Sequence, residues 1–425
     1  MALGNVNFIR KDGNLTNTAL GNDHISGLLF DVPADTQMPS GIKLGDVNQI
    51  FSLRDAEKLG INEYSKDSES FYHGIPHFHI SEFFRIKPNG SLYIMFADCS
   101  KNWDAHQTIQ SIAQGEIRQI GVWTPRNLWK KGADSAPYAL DLVADLNAQA
   151  EILASQHKPV SIILSANSSS VDSTNVDKTV KLTLLPTCIG DTSRVTVLLG
   201  QGRTEQVKAM QLAHPNNATI GCVGAMLGCI ANASVCESVA WVDQFNVTGG
   251  AMSNIEFGFG DMTLINDDKD FTSTLPYEAL SPTQLNELDE KGYVFPIKYV
   301  GKTNGTYFSS NRSCSAGDFN TIARNRTIDK SRRAIRVGLL PFLHSPVLID
   351  AKSGKLSEVT IKKFSNVITN ILSTIKDNGE ISGYNVNINT TQNVLTTNKI
   401  VITYSIVPIG EAGTIEVEEG FALTI

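Results

Sequence analysis

Three groups of residues in this chain have types and spacings that could do chemistry. His73, His77 and His79 form its one histidine cluster. Alternate residues of a strand project to one side, so His77 and His79 could share an ion. Pro76 disrupts a helical pairing of His73 with His77, and neither cysteine nor grouped carboxylates stand nearby to complete a coordination set. Local packing ahead of a helical turn at 80–85 is the expectation. Cys222, Cys229 and Cys236 recur at every seventh position. On a helix they would line one stripe, about 10 Å apart along the axis, too far for one ion or a shared disulfide. With Gly221, Gly224, Ala225 and Gly228 around them, they read as small residues that allow close packing. The same glycines have neither the spacing of a dinucleotide fingerprint nor the lysine of a phosphate loop, and no nucleophile elbow is present. The residues therefore predict no catalytic, cofactor or metal site.

The third group is basic: Arg324, Arg326, Lys330, Arg332, Arg333 and Arg336 crowd thirteen positions. Such a run could meet phosphates. No aromatic residues interleave, however, and the chain as a whole carries a formal charge of −7, so nucleic acid is not the expected partner. Two readings remain open. The run is a solvated helix face, or Arg332 and Arg333 meet an acidic surface of a neighbouring subunit or tube, with Glu411, Glu416, Glu418 and Glu419 as candidate counterparts.

The elements that must position these residues alternate along the chain. With 425 residues, 41% of them hydrophobic, two or three domains with real cores are expected. Strands are predicted over 91–97, 117–123, 160–164, 180–185 and 195–199, and helices over 106–114, 139–157 and 218–231. This alternation predicts an α/β core, followed by a mixed α+β C-terminal third. Ser281-Pro282-Thr283-Gln284 is a capping box with proline at the first helical position. No apolar run approaches the roughly 20 residues of a membrane span. The opening Met-Ala-Leu-Gly lacks the basic and apolar regions of a signal peptide, so synthesis in the bacterial cytoplasm is expected.

The last third is the most patterned stretch. Ser357 is an N-cap, Ile361, Phe364, Ile368, Ile371, Leu372 and Ile375 recur at helical spacing, and Gly379 supplies a left-handed stop. Alternating strands follow at 384–389 and 400–407, with Pro408 ending the second. A third strand is predicted over 414–425, with Ile415, Val417, Phe421, Leu423 and Ile425 on one side. Such an apolar terminal strand must pair inside a sheet, its own or a neighbour's. Asn5–Ile9, with Val6 and Phe8 on one side, is a short strand ahead of a polar stretch, and it could pair within its domain or reach another subunit.

This order of segments resembles the C-terminal domain of contractile tail sheath proteins of phages and related injection systems. The resemblance rests on 379–384, on Asn393-Val394-Leu395, on 400–410 and on Ile415-Glu416-Val417. The basic segment 323–330 is similar to that family's entry into the preceding helix, and weaker echoes lie at 79–85, 90–95 and 221–242. It implies a multi-domain subunit with an N-terminal arm at 1–22, an α/β core at 23–250, a Gly-rich connection at 251–327 and a C-terminal sheath domain at 328–425. It also implies hexameric rings stacked around an inner tube, bounded by baseplate and terminator proteins, in a virion tail or an injection particle. Terminal strands carrying Val6, Phe8, Ile415, Val417, Phe421 and Leu423 would add to neighbours' sheets, without nucleic acid, cofactor or membrane insertion. A non-contractile virion or baseplate protein with the same C-terminal domain, and an α/β enzyme with an unrecognised site, are the alternatives.

Overall fold

The computed structural model describes residues 22–65, 71–125, 129–130, 139–140, 142–166, 180–181, 185–213, 220–257, 264–265, 275–302 and 305–421. Its centre is a seven-stranded sheet of β1 (Ser26–Asp31), β2 (Val47–Ile50), β3 (Leu92–Ala97), β4 (Gln119–Trp123), β5 (Ser161–Ser165), β6 (Val195–Leu198) and β7 (Tyr293–Val294). Their order is β7-β6-β5-β4-β1-β3-β2, every pairing parallel except the edge pair β2–β3. A parallel sheet is covered on both faces, so its strands are continuous apolar runs, as Leu92-Tyr-Ile-Met-Phe and Ser161-Ile-Ile-Leu are. Leu29, Met95, Val122, Ile162 and Val197 point into one core layer, beneath α2 (Ala105–Ile112) and α3 (Leu142–Ser155). Leu28, Phe30, Ile94, Phe96, Trp123 and Ile163 point into the other, beneath α1 (Phe71–Ile86) and α4 (Val223–Asn232).

The elements differ from their expected bounds for identifiable reasons. Helix α3 begins at Leu142 rather than Ala139, because Ala139–Leu140 pairs with Trp129–Lys130. It ends at Ser155, where His157 takes the left-handed conformation (φ 64°) and Lys158 N–H returns to the Leu153 carbonyl. The expected interruption at Pro76 does not occur. Helix α1 runs through it, since proline deletes one backbone hydrogen bond near the helix start and the flanking residues 74–80 are buried. His77 and His79 therefore sit on a helix, not on one side of a strand. Helix α4 stops at Asn232, so Cys222 precedes it, Cys229 lies within it and Cys236 lies beyond it.

Small residues on α4 do allow close packing. A methyl group placed on Gly224 would come within 2.0 Å of the His79 carbonyl oxygen, and one on Gly228 within 2.9 Å of Ile86. Gly224→Ala is expected to force α1 and α4 apart and to cost about 3 kcal/mol or more, read from urea unfolding midpoints. An unchanged midpoint would show that the two backbones do not approach this closely.

The same crossing fixes a buried histidine. His79 Nε2 donates to the Ile220 carbonyl (2.9 Å) while its Nδ1 accepts from Gly224 N–H (3.4 Å). Burial pushes its pKa down to about 3, and burial does the same to His106, to about 4. Both are neutral when folded and bind a proton when unfolded, so their contribution is complete above the unfolded pKa of about 6.5 and shrinks as pH falls. From about pH 6 to 4 these two side chains give a slope approaching 2.7 kcal/mol per pH unit. Denaturation at pH 7 and pH 5 measures it, and His106→Gln should remove about half.

The C-terminal part continues through α5 (Ile322–Leu339) and α6 (Glu358–Asp377) into a hairpin of β8 (Ile381–Ile388) and β9 (Ile402–Pro408). Ser357 caps α6 by accepting from Thr360 N–H, Gly379 (φ 73°) ends it, and the Ser281 capping box is formed as expected. Ile368, Leu372 and Ile375 of α6 pack on Tyr384, Val386, Ile402, Tyr404 and Ile406, with Ile335 of α5 completing this third core. No helix among the described residues is long and apolar enough to cross a membrane.

Candidate assembly surface and its charged root

Helix α5 spans the division expected at 327/328 and joins the large sheet to the hairpin domain. Its first half is bound to the body of the chain. The Asn325 side-chain amide donates to the carbonyls of Ser193, Phe319 and Thr321, and Arg326 donates to those of Asp23, Ala233 and Ser234. Its second half packs on α6, where a methyl on Gly338 would meet Ile371 at 2.6 Å.

The basic run lies on this helix, and the structure corrects its reading as a solvated face at residues 326, 330 and 333, while Arg324 and Arg336 are exposed. Residues 326, 330 and 333 recur at helical spacing and turn inward. Lys330 Nζ sits between Asp23 (2.8 Å) and Glu380 (2.5 Å), and Arg333 pairs with the other oxygen of Asp23 (3.0 Å). Arg333 has a side chain only 10% exposed, and Arg332 donates to the Ala154 carbonyl. Their partners are thus carboxylates and carbonyls of the same chain, while Glu411, Glu416, Glu418 and Glu419 are exposed. Asp329 holds Arg194 through two hydrogen bonds of 2.8 and 3.1 Å, and Glu151 holds the Nε of the same guanidinium. Burial pulls Arg326 down to about 10, and burial followed by the nearby Arg333 does the same to Arg118.

This cluster ties three distant parts together. Asp23 is the root of the expected N-terminal arm, Glu380 is the root of the hairpin, and one lysine holds both. Asp23, Glu380, Arg194 and Asp329 have no local signature, since their partners are remote in sequence. Only the helical spacing of the basic residues hinted that one face was spoken for.

The hairpin itself is open. Tyr384↔Ile406 and Val386↔Tyr404 face α6, whereas Asn385, Asn387, Thr403, Ser405 and Val407 are exposed. Among the described residues β9 pairs with β8 alone. Beside β9 lies a cleft of about 410 Å³, bounded by Phe319, Arg324 and Ile328 on one side and Tyr404–Ile406 and Pro408 on the other. The predicted third strand is not part of this sheet. Residues 409–421 take no regular structure, and Ile415, Val417 and Phe421 are 79%, 81% and fully exposed. Leu423, Val6 and Phe8 lie outside the described residues. His77 faces Glu57 (3.4 Å) and His79 faces α4, so these two do not converge on a shared point.

Comparison with solved structures places this geometry in a known fold. The chain is similar to the 6-fold symmetrised baseplate structure of the anti-feeding prophage (14% identity, TM-score 0.57, 94% of each chain covered). It is equally similar to that prophage's helical sheath in the contracted state (15% identity, TM-score 0.57, 99% of each chain). The contracted PVC sheath complex of an extracellular contractile injection system matches at 11% identity and TM-score 0.55, over 94% of this chain and 92% of that one. The chain therefore has the contractile-sheath fold. No functionally curated protein matches it in sequence. Two sequence profiles do match, the DUF2586 N-terminal domain over residues 3–312 and the DUF2586 C-terminal domain over residues 318–425. The chain belongs to the DUF2586 family.

Proposed function

We propose that this chain is a structural subunit of a contractile tail sheath, not an enzyme. Its copies stack as rings, six to a ring, around an inner tube, and contraction of the stack drives the tube through a target envelope. The observation that carries this reading is the pairing of an open hairpin edge with an apolar tail left exposed by its own chain. An unpaired edge supplies main-chain donors and acceptors, and alternating side chains supply register, which is the physics of strand addition. The tail of one copy, through Ile415, Val417, Phe421 and Leu423, completes the sheet of the next, and Val6 and Phe8 do the same from the other end. Arg332 and Arg333 act behind that interface, Arg333 fixing the root of the arm at Asp23 and Arg332 holding the Ala154 carbonyl. Baseplate and terminator proteins close the two ends of the stack in an assembled virion tail or injection particle.

A second reading, a baseplate component, is supported by the likeness to the baseplate structure. Electron microscopy of the purified chain, alone and with its tube protein, separates the two. Hollow, cross-striated tubes are the expected result. Closed rings that never extend would favour the baseplate reading, and single particles under both conditions would sink both.

A further inference from the structure

The tail carries a charge where its pattern calls for an apolar side chain. Counted by twos, Ile415, Val417, Glu419 and Phe421 share one side of an extended segment, and Glu416, Glu418 and Gly420 share the other. On an added strand Glu416 and Glu418 would face solvent. Glu419 would not, because it lies between Val417 and Phe421 on the side that beds down. In the single chain all of these residues are exposed.

A carboxylate pressed into a sheet needs a cation, since a buried charge without a partner is strongly unfavourable. The cleft beside β9 offers one. Arg324 is the single basic residue among the described residues that line it. This arginine is exposed, and its Nη1 donates to the Asp318 carbonyl (3.2 Å) and to the side-chain oxygen of Asn320 (3.1 Å). Asp318, the one acid in that lining, thus meets it through main chain. Among the described residues Arg324 forms no ion pair, unlike Arg194, Lys330 and Arg333. The chain's own tail does not fill the cleft. Beyond Pro408 it lines a neighbouring cavity through Glu411, Gly413 and Thr414, and then lies exposed.

We infer that Glu419 of one copy pairs with Arg324 of the next, and that this ion pair sets the register of the added strand. The inference rests on the strand exchange proposed above and names the contact that makes it specific. Alternation alone cannot fix the register, because a slip of two residues leaves every apolar side chain on the same side. Such a slip would put an apolar side chain against the guanidinium and leave Glu419 without a counterion. The spacings agree with the pairing. Arg324 and Ile328 stand about 6 Å apart along the axis of α5, and alternate residues of a strand stand about 6.8 Å apart. With Glu419 over Arg324, Val417 or Phe421 comes over Ile328, on the apolar part of the cleft wall that Phe319 and Ile406 share.

Charge reversal in the intact chain tests the pair. Glu419→Arg and Arg324→Glu both fall on exposed side chains, so the urea midpoints of both variants should match the parent's. Under conditions in which the parent forms tubes, each variant alone should need about a tenfold higher concentration, or more, to sediment as tubes, because like charges then face each other. An equal mixture of the two variants should assemble near the parent's concentration, since the tail of each then meets an opposite charge in the cleft of the other. Parent-like assembly by either variant alone would overturn the pairing. So would a mixture that does not recover, and recovery by the double variant but not by the mixture would mean that Glu419 meets Arg324 of its own chain. A chain carrying Ile415→Asp and Val417→Asp separates this inference from the exchange beneath it. If that chain fails while the charge variants assemble, the exchange stands and the pair falls; if all of them assemble like the parent, the exchange falls as well.

Discussion

A chain carrying Ile415→Asp and Val417→Asp together is expected to fold with unchanged stability and to lose the ability to polymerise. Both side chains are about four-fifths exposed, so the folded chain gains nothing from them and its unfolding midpoint should move by less than about 0.5 kcal/mol. On a neighbour's sheet edge the same side chains would each bury an apolar surface worth about 1.5–3 kcal/mol, and an aspartate there would be buried without a partner. In a lattice every copy repeats the defect, and contacts made possible only by neighbouring contacts are lost with it. Sedimentation of assembled material, set against urea unfolding of the same sample, reads both halves. Tubes that form at the ordinary yield would remove the tail from the assembly mechanism.

Asp329→Ala is expected to be among the most damaging single substitutions in the folded chain, at about 3–5 kcal/mol. Arg194 is 8% exposed and meets Asp329 through two short hydrogen bonds, leaving only Glu151, itself about half exposed, as a second counterion. Truncating Asp329 strands the guanidinium in a low-dielectric site, where its desolvation is no longer offset. The pair joins the strand region at Arg194 to helix α5, so the loss should loosen the attachment of the hairpin domain as well. Removing both charges with Arg194→Met and Asp329→Leu should recover much of the loss, because an apolar pair of similar volume leaves no charge unpaired. Equal destabilisation by the single and double variants would contradict this account.

Much of the fold was legible because its signals are local. Strands buried on both faces are short apolar runs, and Leu92–Ala97, Ser161–Ser165 and Val195–Leu198 lie within a residue of the bounds their sequences predict. Ser357, Gly379 and the Ser281 box are punctuation whose mechanism is complete within a few residues. The misreadings concern partners far away in sequence. Lys330 and Arg333 looked solvated because the carboxylate that holds both, Asp23, lies 310 positions before Arg333. Pro76 looked like a break because the burial that carries α1 through it comes from other elements. The pairing of Cys314 with Thr192 depends on a short ladder that no periodicity announces. At 414–421 the sequence carries an apolar alternation that its own chain leaves exposed, so there the pattern and the single chain disagree, which is what the proposed assembly role would resolve.

In the proposed lattice the tail of one copy completes the hairpin sheet of another. The most direct measurement is a photo-crosslinker at Val417 in tubes assembled from an equal mixture of ¹⁵N-labelled and unlabelled chains. The linked peptides are then sorted by mass. The account predicts links from Val417 to the 402–408 strand, with heavy-to-light pairs as frequent as a random mixture of copies requires. Links confined to peptides of one isotope would mean that the tail folds back on its own chain. Links that avoid 402–408 altogether would mean that the open edge of β9 has another occupant.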